Sequence, residues 1–122
     1  MRLLLIDDDD DVRRIARLSL TRIGAIEVVD AASGQEGVRK AWEERPDAIL
    51  LDVMMPGEDG PATLAALRAD PATAAIPVIF LTAKAMTSEV ERLKRLGAAG
   101  VVTKPFNPVT LALEIRAILE AG

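Results

Sequence analysis

The feature of this sequence that most constrains its fold is a regular alternation between short apolar runs and amphipathic segments. Each apolar run is rich in Val, Ile and Leu and is too short for a helix. The runs also lack the in-and-out alternation of a half-exposed strand, which is typical of parallel strands covered on both faces. The five predicted strands are Leu3–Ile6, Ile26–Val29, Ala48–Leu51, Val78–Leu81 and Gly100–Val102.

The segments between these runs have helical spacing, with apolar residues recurring every three or four positions. Ser33 to Glu36 is a capping box, Pro61 and Pro108 stand where a helix begins, and Gly97 suits a left-handed cap. The residues predicted to face inward are Val12, Ile15, Ala16, Ser19 and Ile23 in the first helix, Val38, Ala41 and Trp42 in the second, Leu64 and Leu67 in the third, Val90, Leu93 and Leu96 in the fourth, and Leu111, Ile115, Ile118 and Leu119 in the fifth.

Five strands that alternate with five helices predict a doubly wound α/β domain, with a five-stranded parallel sheet and helices on both faces. The length of 122 residues fits one domain, so we expect a single unit over residues 1–122. The two longer connections, Val53–Gly60 and Ala69–Pro77, are predicted to be surface loops.

The composition excludes several classes of function. The chain has no Cys and no His, so disulfides, thiolate chemistry and a phosphohistidine within this chain are ruled out. The net charge of −4 and the aromatic content of 2% argue against a nucleic-acid surface. No apolar stretch is long enough for a membrane helix or a signal peptide, so we expect a cytoplasmic protein without a membrane partner.

Polar residues follow four of the predicted strands, at the point where each strand ends. Asp7 and Asp8 follow the first strand, Asp52 follows the third, Thr82 follows the fourth and Lys104 comes just after the fifth. In sheets of this kind the ligand site lies beyond the carboxyl ends of the strands. The sequence therefore predicts that three carboxylates, a hydroxyl and an ammonium converge on one edge.

Three carboxylates packed together repel one another unless a cation joins them or their pKa values rise. Mg²⁺ is the natural choice, because it accepts one or two carboxylates together with waters and phosphate oxygens. A phosphate donor drawn to this edge could have its charge balanced by the metal and Lys104, with a hydrogen bond from Thr82. Asp52 is the best candidate nucleophile, because it stands alone at its strand end before a loop that can expose it.

Five motifs, taken in order, resemble the receiver domains of two-component response regulators. The resemblance covers the chain from Arg2 to the last helix, and it implies a flavodoxin-like sheet in the order 2-1-3-4-5. The motifs are Leu5–Asp9 (LIDDD), Leu51–Gly57 (LDVMMPG), Asp59-Gly60, Leu81–Ala83 (LTA) and Thr103–Phe106 (TKPF).

The resemblance also implies roles for the strand-end residues. Asp52 would accept a phosphoryl group from a sensor histidine kinase or a phosphotransfer protein, and Thr82 and Lys104 would contact that group. Asp8, Asp52 and the backbone carbonyl of Met54 would bind Mg²⁺ directly. The remaining acid of the set, Asp7, would act mainly through water.

By the same resemblance, the chain is expected to be a signalling switch rather than an enzyme. The face formed by the fourth helix, the fifth strand and the fifth helix would meet a downstream effector or a second copy after phosphorylation. The Lys104-Pro105 bond would be cis. One position departs from the family, since Val101 stands where many receivers carry an aromatic side chain. Activation is therefore expected to show in the fourth helix and its preceding loop.

Three other functions fit parts of the sequence. An aspartyl-phosphate phosphatase would need its motif within Asp7–Asp11, which puts an acid at the last position and leaves Asp52 unexplained. A pseudo-receiver scaffold conflicts with the intact acidic set. A flavin-binding module of the same fold would need a phosphate loop rich in Ser, Thr and Gly after the first strand, and that loop is missing.

Several charged or large side chains have a simpler interpretation. Asp9, Asp10 and Asp11 are expected to be first-turn acids favoured by the helix dipole. Trp42 is predicted to be a half-buried helix anchor. The remaining charged residues are expected to be solvated, and they are Glu58 and Asp59 in the loop and Arg92, Lys94 and Arg95 on the fourth helix.

Overall fold

The computed structural model describes residues 1–84 and 86–121. Within them a five-stranded sheet alternates with five helices. The strands are β1 (Arg2–Ile6), β2 (Glu27–Ala31), β3 (Ala48–Asp52), β4 (Val78–Thr82) and β5 (Gly100–Thr103). The helices are α1 (Asp10–Arg22), α2 (Gly34–Glu44), α3 (Gly60–Ala69), α4 (Thr87–Arg95) and α5 (Leu111–Ala121).

The sheet is parallel throughout and has the order β2-β1-β3-β4-β5, which confirms the predicted flavodoxin-like topology. Its register brings the strand ends level with one another. Ile6 pairs with Leu51, and Thr82 pairs with Thr103. The residues that follow β1 and β3 therefore lie side by side at the carboxyl edge.

Two apolar clusters lie on opposite faces of the sheet, and this explains why the strands are apolar at every position. Successive strand residues alternate between the clusters, so Leu3 and Leu5 join one and Leu4 and Ile6 join the other. The first cluster takes its helical members from α1 and α5, which are Ala16, Leu20, Leu111, Ala112 and Ile115. The second takes them from α2, α3 and α4, which are Ala41, Leu64, Leu67 and Leu93.

Three aliphatic residues predicted to face the core are largely exposed, so that part of the prediction was wrong. Ile15 is 44% exposed, Ile23 is 57% exposed and Leu96 is 47% exposed. Ile15 adjoins the buried stripe of α1, while Ile23 and Leu96 follow the last turns of α1 and α4. Helical spacing alone did not distinguish a position at the border of the apolar face from one at its centre.

Trp42 is also more exposed than predicted, with 54% of its surface accessible. Its neighbour Ala41 is fully buried, and one residue further along the helix the side chain has turned about 100° away from the core. The indole instead lies beneath the guanidinium of Arg45, whose central carbon is 5.6 Å from the ring centroid. The residue covers the end of α2 and does not anchor it in the core.

The connection after β3 is more ordered than the predicted surface loop. Met54–Met55 pairs with Glu58–Asp59 in a small antiparallel hairpin, and Gly57 between them has a φ of 69°. The amide of Gly60 then donates to the carbonyl of Val53 at 2.8 Å. This hairpin fixes the chain immediately after Asp52 and therefore shapes one side of the sheet edge.

The helix-end signals were largely confirmed. Asp9 caps α1 by accepting from the amides of Asp11 and Val12, and Ser33 caps α2 by accepting from Glu36. Gly97 has a φ of 110° just after α4. The Lys104-Pro105 peptide bond is cis, as the resemblance implied. In the part of the chain that the structure describes, every helix is too short or too polar to cross a membrane.

Candidate functional site

The predicted strand-end residues do converge on one edge of the sheet. Asp7 and Asp8 follow β1, Asp52 ends β3, Thr82 ends β4 and Lys104 follows β5. One carboxylate oxygen from each of the three aspartates lies within 4.8 Å of the others. Residues spread over most of the sequence thus form one acidic cluster with a single ammonium beside it.

The Lys104 ammonium bridges two of the three acids. Its Nζ atom lies 2.7 Å from Asp7 Oδ2 and 3.3 Å from Asp52 Oδ2. Burial disfavours the charged amine, but the contact with Asp7 and the charges of Asp7 and Asp52 outweigh this and raise the pKa of Lys104. The lysine therefore stays protonated, as a fixed positive charge between the two carboxylates.

Asp7 is fully buried and is held by the backbone around it. Its Oδ1 atom accepts from the amide of Asp9 at 2.9 Å, and its carbonyl accepts from Arg13 Nη1 at 2.6 Å. Among the described residues, Asp7 Oδ2 is a buried oxygen without a well-aligned hydrogen bond, although the Lys104 ammonium is close. We interpret this contact as an ion pair that leaves the oxygen with spare capacity for a further ligand.

Asp52 is buried, with 5% of its surface exposed, and the Lys104 ammonium lies farther from it than from Asp7. Its Oδ1 atom accepts from the amide of Met54 at 3.3 Å. Burial raises the pKa of this carboxyl group, the charge of Asp7 raises it further, and Lys104 opposes both. An additional positive charge beside Asp52 would therefore stabilise its ionised form.

Thr82 lies at the same edge, and its backbone forms a hydrogen bond with the backbone of Lys104. Its carbonyl accepts from the amide of Lys104 at 2.7 Å. Its hydroxyl oxygen accepts from the amide of Lys84 at 3.1 Å, which leaves the hydroxyl proton free to be donated. The side chain is 5% exposed and lines the same cleft as Asp52.

A cleft of about 510 Å³ opens over this edge. The hairpin and the start of α3 form one wall, and Ala83 and Lys84 together with α4 form the other. The lining residues are Asp52, Val53, Met54, Glu58, Asp59, Pro61, Thr82, Ala83, Lys84, Glu89, Arg92 and Lys104.

The acidic residues fit a hard divalent cation such as Mg²⁺. Asp7, Asp8 and Asp52 offer carboxylate oxygens at one place, and Asp7 Oδ2 is buried without an aligned hydrogen bond. Asp8 is exposed, so a metal there could keep several waters, as Mg²⁺ usually does. Met54 lies beside the cluster and lines the cleft. The donor set is all oxygen, which suits Mg²⁺ better than a softer metal.

Two loop acids have structural roles that the sequence reasoning missed. Glu58 Oε2 accepts from the amide of Gly34 at 2.5 Å, which ties the hairpin to the start of α2. Asp59 caps α3 by accepting from the amide of Ala62 at 3.0 Å. The second role could have been found, because an Asp two residues before Pro61 is an ordinary helix-start signal. The first depends on a contact between segments far apart in the sequence.

Arg92 and Glu89 are a further addition to the predicted set. Arg92 is exposed, as expected for a solvated helix face, and it also lines the cleft together with Glu89. Lys94 and Arg95 are exposed and are absent from that lining, as expected for a solvated face.

A doubly wound sheet with an acidic cluster and a lysine at its carboxyl edge is the arrangement that the resemblance to response regulators of two-component systems implied. The response regulator receiver domain is the matching family, and its model covers residues 3–116. The chain belongs to this family.

Curated relatives and solved structures agree with this assignment. Over 120 residues, 98% of the chain, it is 43% identical to transcriptional regulatory protein AfsQ1 of Streptomyces coelicolor. Over 118 residues it is 36% identical to protein PilH of Pseudomonas aeruginosa, with 97% of both chains covered. Chemotaxis protein CheY4 of Vibrio cholerae superposes with a TM-score of 0.88 at 32% identity, covering 96% of this chain and 97% of the other.

The relatives differ in how much lies outside the shared domain. The chain spans about half the length of the first curated relatives it matches, with 52% of AfsQ1 covered. It spans almost all of PilH and of CheY4.

Proposed function

We propose that this chain is a phosphoacceptor domain whose residues 1–122 act as one unit, and that Asp52 takes a phosphoryl group in a Mg²⁺-dependent reaction. The donor would be a phosphohistidine on a sensor histidine kinase or on a phosphotransfer protein. The observation that carries the proposal is the position of Asp52, which faces the cleft beside Lys104 and within 4.8 Å of the oxygens of Asp7 and Asp8.

The reaction is a transfer between two nucleophiles. A carboxylate oxygen of Asp52 attacks the phosphorus of the donor, the phosphorus–nitrogen bond breaks, and its electron pair returns to the imidazole. The product is an acyl phosphate on Asp52. Lys104 keeps its charge through the reaction, because its pKa is raised, and so offsets charge on the transferred group. Thr82 has a hydroxyl proton to donate to a phosphoryl oxygen.

The metal site of this proposal uses Asp8, Asp52 and the carbonyl of Met54 as direct ligands, with Asp7 acting through water. When bound, Mg²⁺ neutralises charge on the phosphoryl oxygens. Asp8 can be tested without phosphorylation, since Asp8→Ala should weaken Mg²⁺ binding at least about tenfold in a calorimetric titration. Unchanged affinity would place the metal elsewhere. Asp11→Ala, on the exposed first turn of α1, is the matched control.

The consequence of phosphorylation would be a change in a binding surface. We propose that the surface formed by α4, β5 and α5 meets a downstream effector or a second copy of the chain. Val101 lies on β5 and packs against the second core cluster. Because this position carries no aromatic side chain, we expect activation to move α4 and the segment before it. In this proposal the domain works in the cytoplasm as a switch and has at most slow autodephosphorylation.

Intact-mass analysis tests the proposal. The chain is incubated with acetyl phosphate and Mg²⁺, beside Asp52→Asn and the surface control Asp11→Asn. The wild type and the control should gain one phosphoryl group, and Asp52→Asn should gain none. An equal adduct on Asp52→Asn would refute the assignment. Sustained turnover of p-nitrophenyl phosphate by the wild type would favour the phosphatase alternative.

A further inference from the structure

An ion pair on α4 forms part of the wall of the phosphoacceptor cleft. Arg92 Nη2 donates to Glu89 Oε1 at 2.7 Å, and Arg92 Nε donates to Glu89 Oε2 at 3.3 Å. Both side chains line the same cleft as Asp52 and Lys104. The cleft thus contains a guanidinium besides the amines of Lys84 and Lys104, and the side-chain hydrogen bonds of this guanidinium go to one carboxylate.

Charge is distributed unevenly across the mouth of the cleft. Glu58 and Asp59 make the hairpin wall acidic, while Lys84 and Arg92 supply positive charge on the opposite wall. Glu89 is the acid on that wall, and its bond to Arg92 lowers the pKa of Glu89. An incoming dianion is therefore repelled by the hairpin and attracted by the α4 side, to the extent that Glu89 and the charge of Asp59 leave Arg92 available.

The Glu89–Arg92 pair is accessible enough to rearrange. The Arg92 side chain is 48% exposed and that of Glu89 is 23% exposed. A surface pair three residues apart on a helix contributes little to stability, so exchanging its partner costs little. A guanidinium also binds a phosphate through two parallel hydrogen bonds, in the geometry with which it now binds the carboxylate.

We propose that Arg92 binds the phosphoryl group of a small-molecule donor in the outer part of the cleft, and that Glu89 competes with the donor for this arginine. The inference rests on the proposed phosphoacceptor function and adds a residue that selects for dianionic donors. Arg92 acts before transfer, while Lys104 serves the transfer itself. Removal of the Arg92 guanidinium should therefore raise the half-saturating donor concentration and leave the maximal rate of phosphorylation almost unchanged.

Phosphorylation kinetics with acetyl phosphate and Mg²⁺ at low ionic strength test this. Arg92→Gln should raise the half-saturating concentration about three- to tenfold, the size expected for one partly screened charge. Glu89→Gln should lower it about two- to threefold for the same reason. The matched controls are Arg95→Gln and Glu91→Gln, which change the same charges at exposed positions outside the cleft and should behave like the wild type.

Two further measurements separate binding from a structural effect. Arg92→Lys keeps the charge and should recover at least about half of the loss, whereas a role in helix packing would give no such recovery. The difference between wild type and Arg92→Gln should also shrink as salt is added.

Equal half-saturating concentrations for Arg92→Gln and Arg95→Gln would overturn the inference while leaving the proposed function intact, as would an effect confined to the maximal rate. A wild type that takes up no phosphoryl group at Asp52 would overturn the function and the inference together.

Discussion

The ammonium of Lys104 lies closer to Asp7 than to Asp52, with Nζ–Oδ2 distances of 2.7 Å and 3.3 Å respectively. Asp7 is also the more deeply buried of the two acids, at 0% exposure against 5%. In this arrangement the lysine is mainly the counter-ion of Asp7, and its electrostatic interaction with Asp52 is weaker. Of these two carboxylates, the one that we expect to react is thus the less neutralised.

The closer lysine–aspartate contact predicts the order in which substitutions restore stability. Lys104→Met should lower the free energy of unfolding by roughly 1–3 kcal/mol, because it leaves buried carboxylates unpaired. The cost falls below that of a fully buried pair because the lysine side chain is 22% exposed. Adding Asp7→Asn to Lys104→Met should recover more stability than adding Asp52→Asn. Urea unfolding near neutral pH with a chelator measures both. The reverse order would contradict the geometry.

Asp52 itself should destabilise the fold at neutral pH when divalent ions are absent. Burial and Asp7 raise its pKa in the folded chain above the value in the unfolded chain. The resulting loss of stability is absent below the pKa of the unfolded chain. It grows as the pH rises from that value to the pKa of the folded chain, and it is complete at higher pH. Asp52→Asn should therefore stabilise the protein by on the order of 1 kcal/mol near pH 7 and by almost nothing near pH 3. Urea unfolding at both pH values, with a chelator, measures the stability of the two proteins. A gain from Asp52→Asn that does not depend on pH would contradict a raised pKa of Asp52.

Gly60 is required where the hairpin returns to β3. A Cβ at this position would lie 2.6 Å from the carbonyl oxygen of Asp52 and 2.8 Å from Val53 Cα, both backbone atoms. Gly60→Ala should cost roughly 2–3 kcal/mol and slow phosphorylation of Asp52, because the backbone must shift. Gly57→Ala has open space but a φ of 69°, so it should cost only about 1 kcal/mol. Thermal unfolding and the acetyl phosphate reaction measure both effects.

Glu58 should link the hairpin to α2. Its carboxylate accepts from the amide of Gly34, 24 positions earlier in the chain. Glu58→Ala should lower the free energy of unfolding by about 1 kcal/mol, as loss of a helix cap does, and should speed hydrogen exchange at the Gly34 amide. Glu91→Ala on the exposed side of α4 serves as the control. Unchanged exchange at Gly34 would show that the bond does not hold the hairpin.

The fold and the centre of the site could be predicted from the sequence because they depend on local patterns. Apolar runs located the strands along the chain, and the residue after each run indicated what stands at the carboxyl edge, as for Asp7, Asp52 and Thr82. The order of the strands in the sheet came from the family resemblance. The boundaries were less certain, since β2 runs from Glu27 to Ala31 and not from Ile26. The amide of Ile26 bonds instead to Leu20, which no periodicity could indicate.

The features that were missed depend on contacts between distant segments. The exposure of Trp42 follows from where α2 meets the sheet, and the bond from Gly34 to Glu58 joins two loops. Arg92 looks like any solvated arginine in the sequence, and only the placement of α4 beside the hairpin brings it to the cleft.

Chemical mapping can establish the identity of the phosphorylated residue. The chain is treated with acetyl phosphate and Mg²⁺, the acyl phosphate is reduced with borohydride, and the peptides are sequenced by mass spectrometry. Reduction converts a phosphorylated aspartate to homoserine, and we predict homoserine at position 52 alone. Homoserine at position 7 or 8 with an unmodified Asp52 would contradict the assignment of Asp52 as the phosphoacceptor.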